Sequence, residues 1–383
     1  MVEVGDRLLG YATDPNVRSK GASGGLVTAV LAAALEKGLV EGVVILKRID
    51  EYEAVPVITD DVQEVLSSGG SMHAVPVNLA KYVVGKKVAM PGKPCDVRGV
   101  IEQAKRNSVD LSNTYIVGLN CGGSMHPVLT KEMLIKMYEI DPEDVVGEEI
   151  EKGKLIFKTK SGEEKSIPID KLEEEGYGRR ESCRYCDVKI PVSADLACGN
   201  WGVIGELAGS ATFCEVMNEK GKLLLDTAIE AGYVEVRPAD EKSISIREKV
   251  NSAMLKLGGE WKEKVFDEIP DKDRLKYFID QFADCIDCGA CKEVCPVCSC
   301  GPDSKCTMFH SLADNYKMSM YHMVRLLHLS DSCIGCGQCA DVCPVDIPVT
   351  TIFRRFANPA QKKRNYVPGM DLKRPPFLEV MLK

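Results

Sequence analysis

Eight cysteines near the C-terminus recur as two copies of one pattern, and no other feature limits the fold of this chain so tightly. Cys285, Cys288, Cys291 and Cys295 reappear as Cys333, Cys336, Cys339 and Cys343, each displaced by 48 positions, and both quartets end in Cys-Pro. Two-residue spacing lets the backbone curl round an inorganic cube and aim three thiolates inward. A fourth cysteine followed by proline ligates the other cube in two-cluster ferredoxins. The pattern assigns Cys285, Cys288, Cys291 and Cys343 to one 4Fe–4S cluster, and Cys333, Cys336, Cys339 and Cys295 to a second. Small residues between ligands (Gly289, Ala290, Gly335, Gly337) allow close approach and leave amides for the sulfides. Zinc is the competing reading, but it needs neither the third cysteine nor the Cys-Pro. Between the quartets, Met308 to Leu329 is rich in Met, Leu and Tyr at helical spacing, which predicts an α-helical module rather than an all-loop one. Cys298, Cys300 and Cys306 belong to neither quartet. They read as surface or buried thiols, with alternative ligation as the sharper option.

The chain has 17 cysteines, and Met1 to Asp14 has no apolar signal-peptide core. A disulfide framework is therefore not expected; reduced, metal-binding thiols in a cytoplasmic protein are. No apolar run reaches the ~20 residues of a membrane helix, so no membrane insertion is expected. The formal charge of -8 offers no basic face for nucleic acid and mildly repels anionic membranes. At 383 residues the chain is long enough for two or three domains.

Residues 1–274 read as an α/β domain with a mixed, largely parallel sheet, and residues 275–383 as the ferredoxin-like two-cluster domain. Val43 to Leu46, Lys87 to Met90 and Tyr115 to Leu119 are short apolar strands. Helices are expected over Leu26 to Glu36, Asp96 to Lys105, Val128 to Tyr138 and Leu223 to Ala231, and a β-hairpin over Lys154 to Ile169. Lys171 to Arg180 reads as a surface connection. Cys95 and Cys121 each end a strand and precede a helix, so both can face the crevice at the carboxyl edge of the sheet. Cys183 and Cys186, a CxxC pair, can complete a tetrad. A third cluster, zinc and plain buried thiols all remain open there. Cys198 and Cys214 read as core residues. The loop Gly21 to Gly25 before an apolar helix resembles a phosphate cradle, although close packing also favours glycine there. Ser67 to Ser71 is a second small-residue loop, and Trp201 can pack on a planar cofactor or simply in the core. His310, His322 and His328 read as packing or surface residues.

GASGGLVTAVLAAALEKG, VAMPGKPCDVRGV, VGLNCGG, SCRYCDV and DLACGNWGV, in that order, resemble the beta-subunit family of coenzyme F420-reducing hydrogenases and their relatives. The resemblance spans roughly residues 15 to 215. With the ferredoxin part appended, the chain is similar to the formate dehydrogenase branch of that family. The resemblance implies FAD in the N-terminal domain, one 4Fe–4S cluster at Cys95, Cys121, Cys183 and Cys186, and hence three clusters in all. It implies coenzyme F420, an 8-hydroxy-5-deazaflavin, as substrate. Ser23, Gly24, Gly25 and Thr28 match its flavin-phosphate region, with Lys93 and Pro94 near the flavin. Lys47, Lys93 and Arg98 are candidates for the anionic tail of the deazaflavin, and Cys198 is a candidate substitute ligand. The implied activity passes electrons between a formate-oxidising partner and coenzyme F420 by hydride transfer at FAD. The alternatives are the same module serving a hydrogenase or other donor, and a pure iron–sulfur relay. The implied partners are a catalytic formate dehydrogenase alpha subunit with a molybdenum or tungsten pterin, and a larger heterodisulfide reductase assembly. Arg354, Arg355, Lys362, Lys363 and Arg364 are candidate partner contacts.

Overall fold

The computed structural model describes residues 1–83, 87–151, 153–267, 271–298, 300 and 315–374. Among the described residues, eleven strands form two sheets: β1 (Arg7–Ala12), β2 (Gly42–Arg48), β3 (Ala54–Thr59), β4 (Val88–Gly92), β5 (Thr114–Leu119), β6 (Val145–Glu151), β7 (Lys154–Thr159), β8 (Glu164–Pro168), β9 (Leu196–Gly199), β10 (Thr212–Val216) and β11 (Val234–Pro238). The larger sheet has the order β11-β1-β10-β9-β5-β4-β2-β3. Only its middle is parallel, through the pairs β2/β4, β4/β5 and β5/β9. The pairs β2/β3, β9/β10, β1/β10 and β1/β11 are antiparallel. The sheet is thus mixed, as expected, but not largely parallel. The apolar runs of β2, β4 and β5 signal buried parallel strands. By contrast β9 has four residues and β1 is interrupted by Gly10, so neither has a legible period. Gly10 is required where it stands: a Cβ there would lie 2.8 Å from Val236 Cγ1.

Helix Leu26–Glu36 matches the sequence expectation residue for residue. Its alanines favour helix and carry little bulk, so it beds closely on the sheet with Leu26, Val30 and Leu31 buried among Val43, Ala89 and Val117. It ends at Gly38, whose φ of 69° suits a glycine after a helix.

Strands β6, β7 and β8 form a separate antiparallel meander. Its inner face packs on Met133, Leu134 and Tyr138, with Tyr138 edge-on to Phe157 at 5.0 Å between ring centroids. His73 Nδ1 stands 3.0 Å from Glu148 on β6. Burial works against charging this imidazole, but the Glu148 hydrogen bond and charge outweigh it and hold the pKa above the ordinary value. The stabilisation from the pair is therefore fully present below about pH 6.5 and is lost as pH rises through the raised value. Urea unfolding from pH 5.5 to 8.5 should show this falling component in the parent chain, and Glu148→Gln should abolish it.

The C-terminal part is helical: Arg274–Ala283, Asn315–Leu329 and Val349–Lys363 enclose Phe278, Phe282, Leu326, Ile352 and Phe353. The helix expected from Met308 is described from Asn315; Cys306 and His310 lie outside the described residues. The module packs on helix Pro94–Lys105. Gln103 Nε2 donates to Pro296 O at 2.6 Å, and Arg106 Nη2 to Ser332 Oγ at 2.5 Å. Residues 364–374 fold back over the same helix, where Tyr366 and Gly369 meet the fully buried Glu102 carboxylate.

Candidate functional site

Among the described residues, two cysteine-lined spaces lie in the helical part. One, about 370 Å³ of empty space partly open to solvent, is lined by Cys285, Cys288, Cys291 and Cys343. The other, about 380 Å³, is lined by Cys333, Cys336, Cys339 and Cys295. Each Cys-Pro cysteine thus stands with the other quartet's first three. Ala290–Glu293 and Gln338–Asp341 are single helical turns, each entered from a left-handed glycine, Gly289 at φ 70° and Gly337 at φ 88°. Hydrogen-bond partners already meet the sulfurs. Ile347 N–H donates to Cys343 Sγ at 3.4 Å, Thr350 Oγ1 lies 3.1 Å from Cys339 Sγ, and Arg325 Nη1 donates to Cys291 Sγ at 2.9 Å. Four thiols around each space, with donors aimed at the sulfurs, fit a negatively charged cubane. Among the described residues, no three His, Cys, Asp or Glu side chains converge as ligands of one metal ion would.

Two of these partners escaped the sequence. His322 is buried, stacks on Phe282 at 3.8 Å, and places Nε2 3.3 Å from Cys285 Sγ. Arg325 donates to Cys291 yet lines the neighbouring cavity, so it stands between the two cysteine groups. Helical spacing alone marks both as ordinary packing residues.

The N-terminal cysteines gather at the carboxyl edge of β4 and β5. Cys95 opens helix Pro94–Lys105 after β4, Cys121 follows β5, and Cys183 and Cys186 arrive on the turn after Glu181. The four lie within electrostatic reach: Cys95 of Cys121 and Cys186, and Cys121 of Cys183 and Cys186. Burial raises the Cys95 thiol, helped by the charge of Asp96. Burial and Cys183 push Cys121 up to about 11. Burial also raises Cys183, but Arg180, Ser124 and Lys189 reverse the balance and bring it below an ordinary thiol. The buried Arg180 and Lys189 and the partly exposed Lys93 thus put positive charge around four thiols, a donor set that fits an anionic cluster. Cys95 also lies within reach of Cys336, so this group adjoins the second cavity.

Several expected positions fall differently. Cys198 and Cys214 face one another across β9 and β10 inside the sheet core, so Cys198 is a core residue and not a substitute ligand. Arg354 and Arg355 are buried rather than partner-facing: Arg354 donates to Cys333 O at 2.9 Å and pairs with Asp187, whereas Lys362, Lys363 and Arg364 are exposed. The surface connection expected over Lys171 to Arg180 ends in two buried arginines, because Arg179 forks onto Glu173 and Arg180 onto the cysteine group. Lys47 is exposed and pairs with Glu64, and Arg98 is buried against Pro368 O and Asp187. Lys93 holds Val77 O at 2.9 Å and Asp96, with Pro94 buried next to it.

The glycine loop sits at the same edge. Strand β1 runs antiparallel to β10 and therefore parallel to β9, and Ala12 at its end donates to Gly24 O at 2.8 Å. Gly24 and Gly25 have φ of 74° and 69°, and a Cβ on them would strike Ser210 O and Val17 O. These two are glycine for close packing. Ser23 O accepts from Thr212 Oγ1. The second small-residue loop meets the first: a Cβ on Gly69 would lie 3.3 Å from Thr28 Oγ1 and 3.9 Å from Gly21 N, and one on Gly70 3.4 Å from Arg48 Nη2. The Gly21 amide is taken by Val17 O, which leaves the Thr28 hydroxyl and the Arg48 guanidinium beside the start of helix Leu26–Glu36 as a donor set that fits a phosphate.

Helix Glu241–Asp267 covers the edge from the other side. Ser243, Arg247 and Asn251 share one face, and Ser243 Oγ, Arg247 Nε and Asn251 Oδ1 are buried without a hydrogen-bond partner among the described residues. The other Arg247 nitrogens reach Asn120 Oδ1 at 3.4 Å and Ala197 O at 3.1 Å, and Trp201 N–H points at the same Asn120 oxygen. Orphaned polar atoms at a strand edge are what a polar ring system would satisfy. The i, i+4, i+8 spacing of these three residues was legible, but nothing marked them off from a solvated helix face.

The family model for coenzyme F420 hydrogenase/dehydrogenase, beta subunit N-term, matches residues 8–83, and that for the C terminus of the same subunit matches residues 85–242. A 4Fe–4S dicluster domain model matches residues 281–347. The chain is 44% identical over 376 residues to the F420-dependent formate dehydrogenase 1 subunit beta of Methanococcus maripaludis, covering 96% of both chains. It is 39% identical over 380 residues to the F420-dependent formate dehydrogenase subunit beta of Methanocaldococcus jannaschii, covering 96% of this chain and 98% of the relative. A chain of the F420-reducing NiFe hydrogenase complex from Methanosarcina barkeri shares the fold, with a TM-score of 0.59 at 19% identity over 69% of this chain and 95% of the other.

Proposed function

This chain belongs to the coenzyme F420 hydrogenase/dehydrogenase beta-subunit family, and from that premise we propose that it conducts electrons between a formate-oxidising partner subunit and coenzyme F420. It is an oxidoreductase subunit with a 4Fe–4S dicluster domain, like its formate dehydrogenase relatives. The observation that carries the reading is the succession of three cysteine groups. The first ferredoxin group adjoins the second through Arg325, and the second adjoins the N-terminal group through Cys336 and Cys95. The last opens on the carboxyl edge of the sheet, where α/β folds bind their ligands.

When bound, iron–sulfur clusters carry single electrons and a flavin exchanges these for the hydride that a deazaflavin accepts. The residues of the chain divide the rest of the work. Cys285, Cys288, Cys291 and Cys343 hold the outer cluster, Cys333, Cys336, Cys339 and Cys295 the middle one, and Cys95, Cys121, Cys183 and Cys186 the innermost. Thr28 Oγ1, the Gly69 backbone and Arg48 would bind the flavin phosphates. Strand β1 lies three strand positions from β5, about 14 Å, so a dinucleotide anchored there reaches the edge beside Cys121. Ser243, Arg247 and Asn251 supply hydrogen bonds to the ring systems. The catalytic partner subunit carries formate oxidation. Among the described residues no helix is long and apolar enough to cross a membrane.

The test is reconstitution. The purified full-length chain, loaded with iron and sulfide and given FAD, should bleach the deazaflavin absorbance when an artificial one-electron donor is added. Arg48→Ala should weaken FAD binding at least tenfold, and Arg247→Ala should slow bleaching at least as much. A chain that holds iron but neither retains FAD nor bleaches the coenzyme would leave only an iron–sulfur relay.

A further inference from the structure

Arg180 occupies the seam between the two halves of the molecule. Its side chain is 4% exposed. One nitrogen, Nη2, donates at 3.3 Å to both Cys183 Sγ and Cys336 O, joining the N-terminal cysteine group to the second ferredoxin group. Nη1 pairs with Asp341, and Nε reaches Ser124 Oγ at 3.2 Å. Ser124 Oγ itself lies 3.7 Å from Cys183 Sγ. The ferredoxin loop is pressed against this arrangement: a Cβ on Gly337 would lie 2.8 Å from Arg180 Nη1 and 2.1 Å from Ser182 Oγ. Five N–H donors in a rigid plane satisfy all four partners at once, which an ammonium on a flexible stem does not.

The geometry points to Arg180 as the positioning residue that docks the N-terminal cysteine group on Cys336 and raises the reduction potential of the cluster held there. This rests on the reading of Cys95, Cys121, Cys183 and Cys186 as cluster ligands. A cluster that takes up one electron gains one negative charge, and a buried cation at its ligand sulfur favours that state. Asp341 opposes the effect from the far side of the guanidinium. Lys189, whose Nζ donates to Cys183 O at 3.2 Å, and Lys93, beside Cys95 and Cys121, act in the same sense as Arg180. Arg325 repeats the device at the other junction, bonding Cys291 Sγ and Cys291 O while lining the second cavity.

The experiment is an EPR-monitored redox titration of the full-length chain reconstituted with iron and sulfide, with iron counted in every sample. The N-terminal cluster is identified as the one absent from Cys121→Ser. Arg180→Gln should lower its midpoint so that, at the parent midpoint, the oxidised-to-reduced ratio rises about tenfold, ~59 mV for a one-electron couple. Arg180→Lys should give a smaller shift of the same sign. Asp341→Asn should shift the midpoint the opposite way. Loosened packing alone would admit water, which favours the more charged reduced state and raises the midpoint, so it cannot produce the fall expected of Arg180→Gln. If Arg180→Gln loads poorly, Arg180→Lys and Asp341→Asn decide. Full iron with unmoved midpoints overturns the inference. A parent chain holding iron for only two clusters overturns instead the reading on which it rests.

Discussion

Cys343→Ser is expected to remove the same cluster as Cys285→Ser, although the two residues belong to different quartets. Each cavity is lined by three cysteines of one quartet and the Cys-Pro cysteine of the other. Loss of one thiolate removes the charge and the bond that hold a corner of the cube, and a serine hydroxyl is a poor substitute at neutral pH. The double variant Cys285→Ser/Cys343→Ser should therefore lose no more iron than either single variant, one cubane's worth. Cys333→Ser/Cys343→Ser should lose two. Iron and sulfide analysis with EPR of the reduced samples reads both. The reverse pattern, with Cys285→Ser/Cys343→Ser losing two clusters, would refute the crossed arrangement.

Glu102→Ala should be the most damaging substitution away from any cysteine. The Glu102 carboxylate is fully buried and accepts from Lys105 Nζ at 3.0 Å, Arg106 Nη1 at 3.3 Å, Tyr366 OH at 2.9 Å and the Gly369 amide at 2.7 Å. Its removal strands the Lys105 ammonium, whose side chain is 4% exposed, and leaves the Arg106 guanidinium with Asp331 as its remaining carboxylate. Breaking a buried pair in this way costs about 3–5 kcal/mol. Tyr366→Phe, which leaves the charges paired, should cost about 1.5–3 kcal/mol, the range for a hydrogen bond to a charged group. The loss should appear as a lower thermal midpoint and, more specifically, as faster hydrogen exchange at the Gly369 amide. A Gly369 amide that exchanges no faster in Glu102→Ala would show that the carboxylate does not hold this segment.

The elements that were legible share one property: their signal lies within a few residues. A cubane imposes its spacing on consecutive cysteines because the backbone itself must curl round it, so the two quartets and their Cys-Pro endings stood out. Helix Leu26–Glu36 and the parallel strands β2, β4 and β5 were legible because burial on all sides produces continuous apolar runs. Strands β1, β9, β10 and β11 were not. They are short and bounded by glycine or loop, and β1 pairs with partners more than 200 positions away, as in Gly10 opposite Thr212. The glycine loop was legible with two readings, a phosphate cradle and close packing. At Gly24 and Gly25 packing accounts for the glycine, since Ser210 and Val17 press on them, and the phosphate-type donors lie next to them at Thr28 and Arg48.

The chemistry of this protein was thus written in the order of its cysteines, since ligand type and spacing are chain-local quantities. How the three cysteine groups stand to one another was decided only by folding. Cys95 meets Cys336 and Arg180 meets Asp341 where the helical module packs on the rest of the chain, and His322 meets Cys285 through packing within the module. These contacts join residues tens to hundreds of positions apart, and no local periodicity encodes them. An arginine in a charged stretch reads as solvated until burial removes water from around it. Only then does the guanidinium have to find its partners in sulfur, carbonyl and carboxylate, and the position of Arg180 between two cysteine groups follows from that requirement.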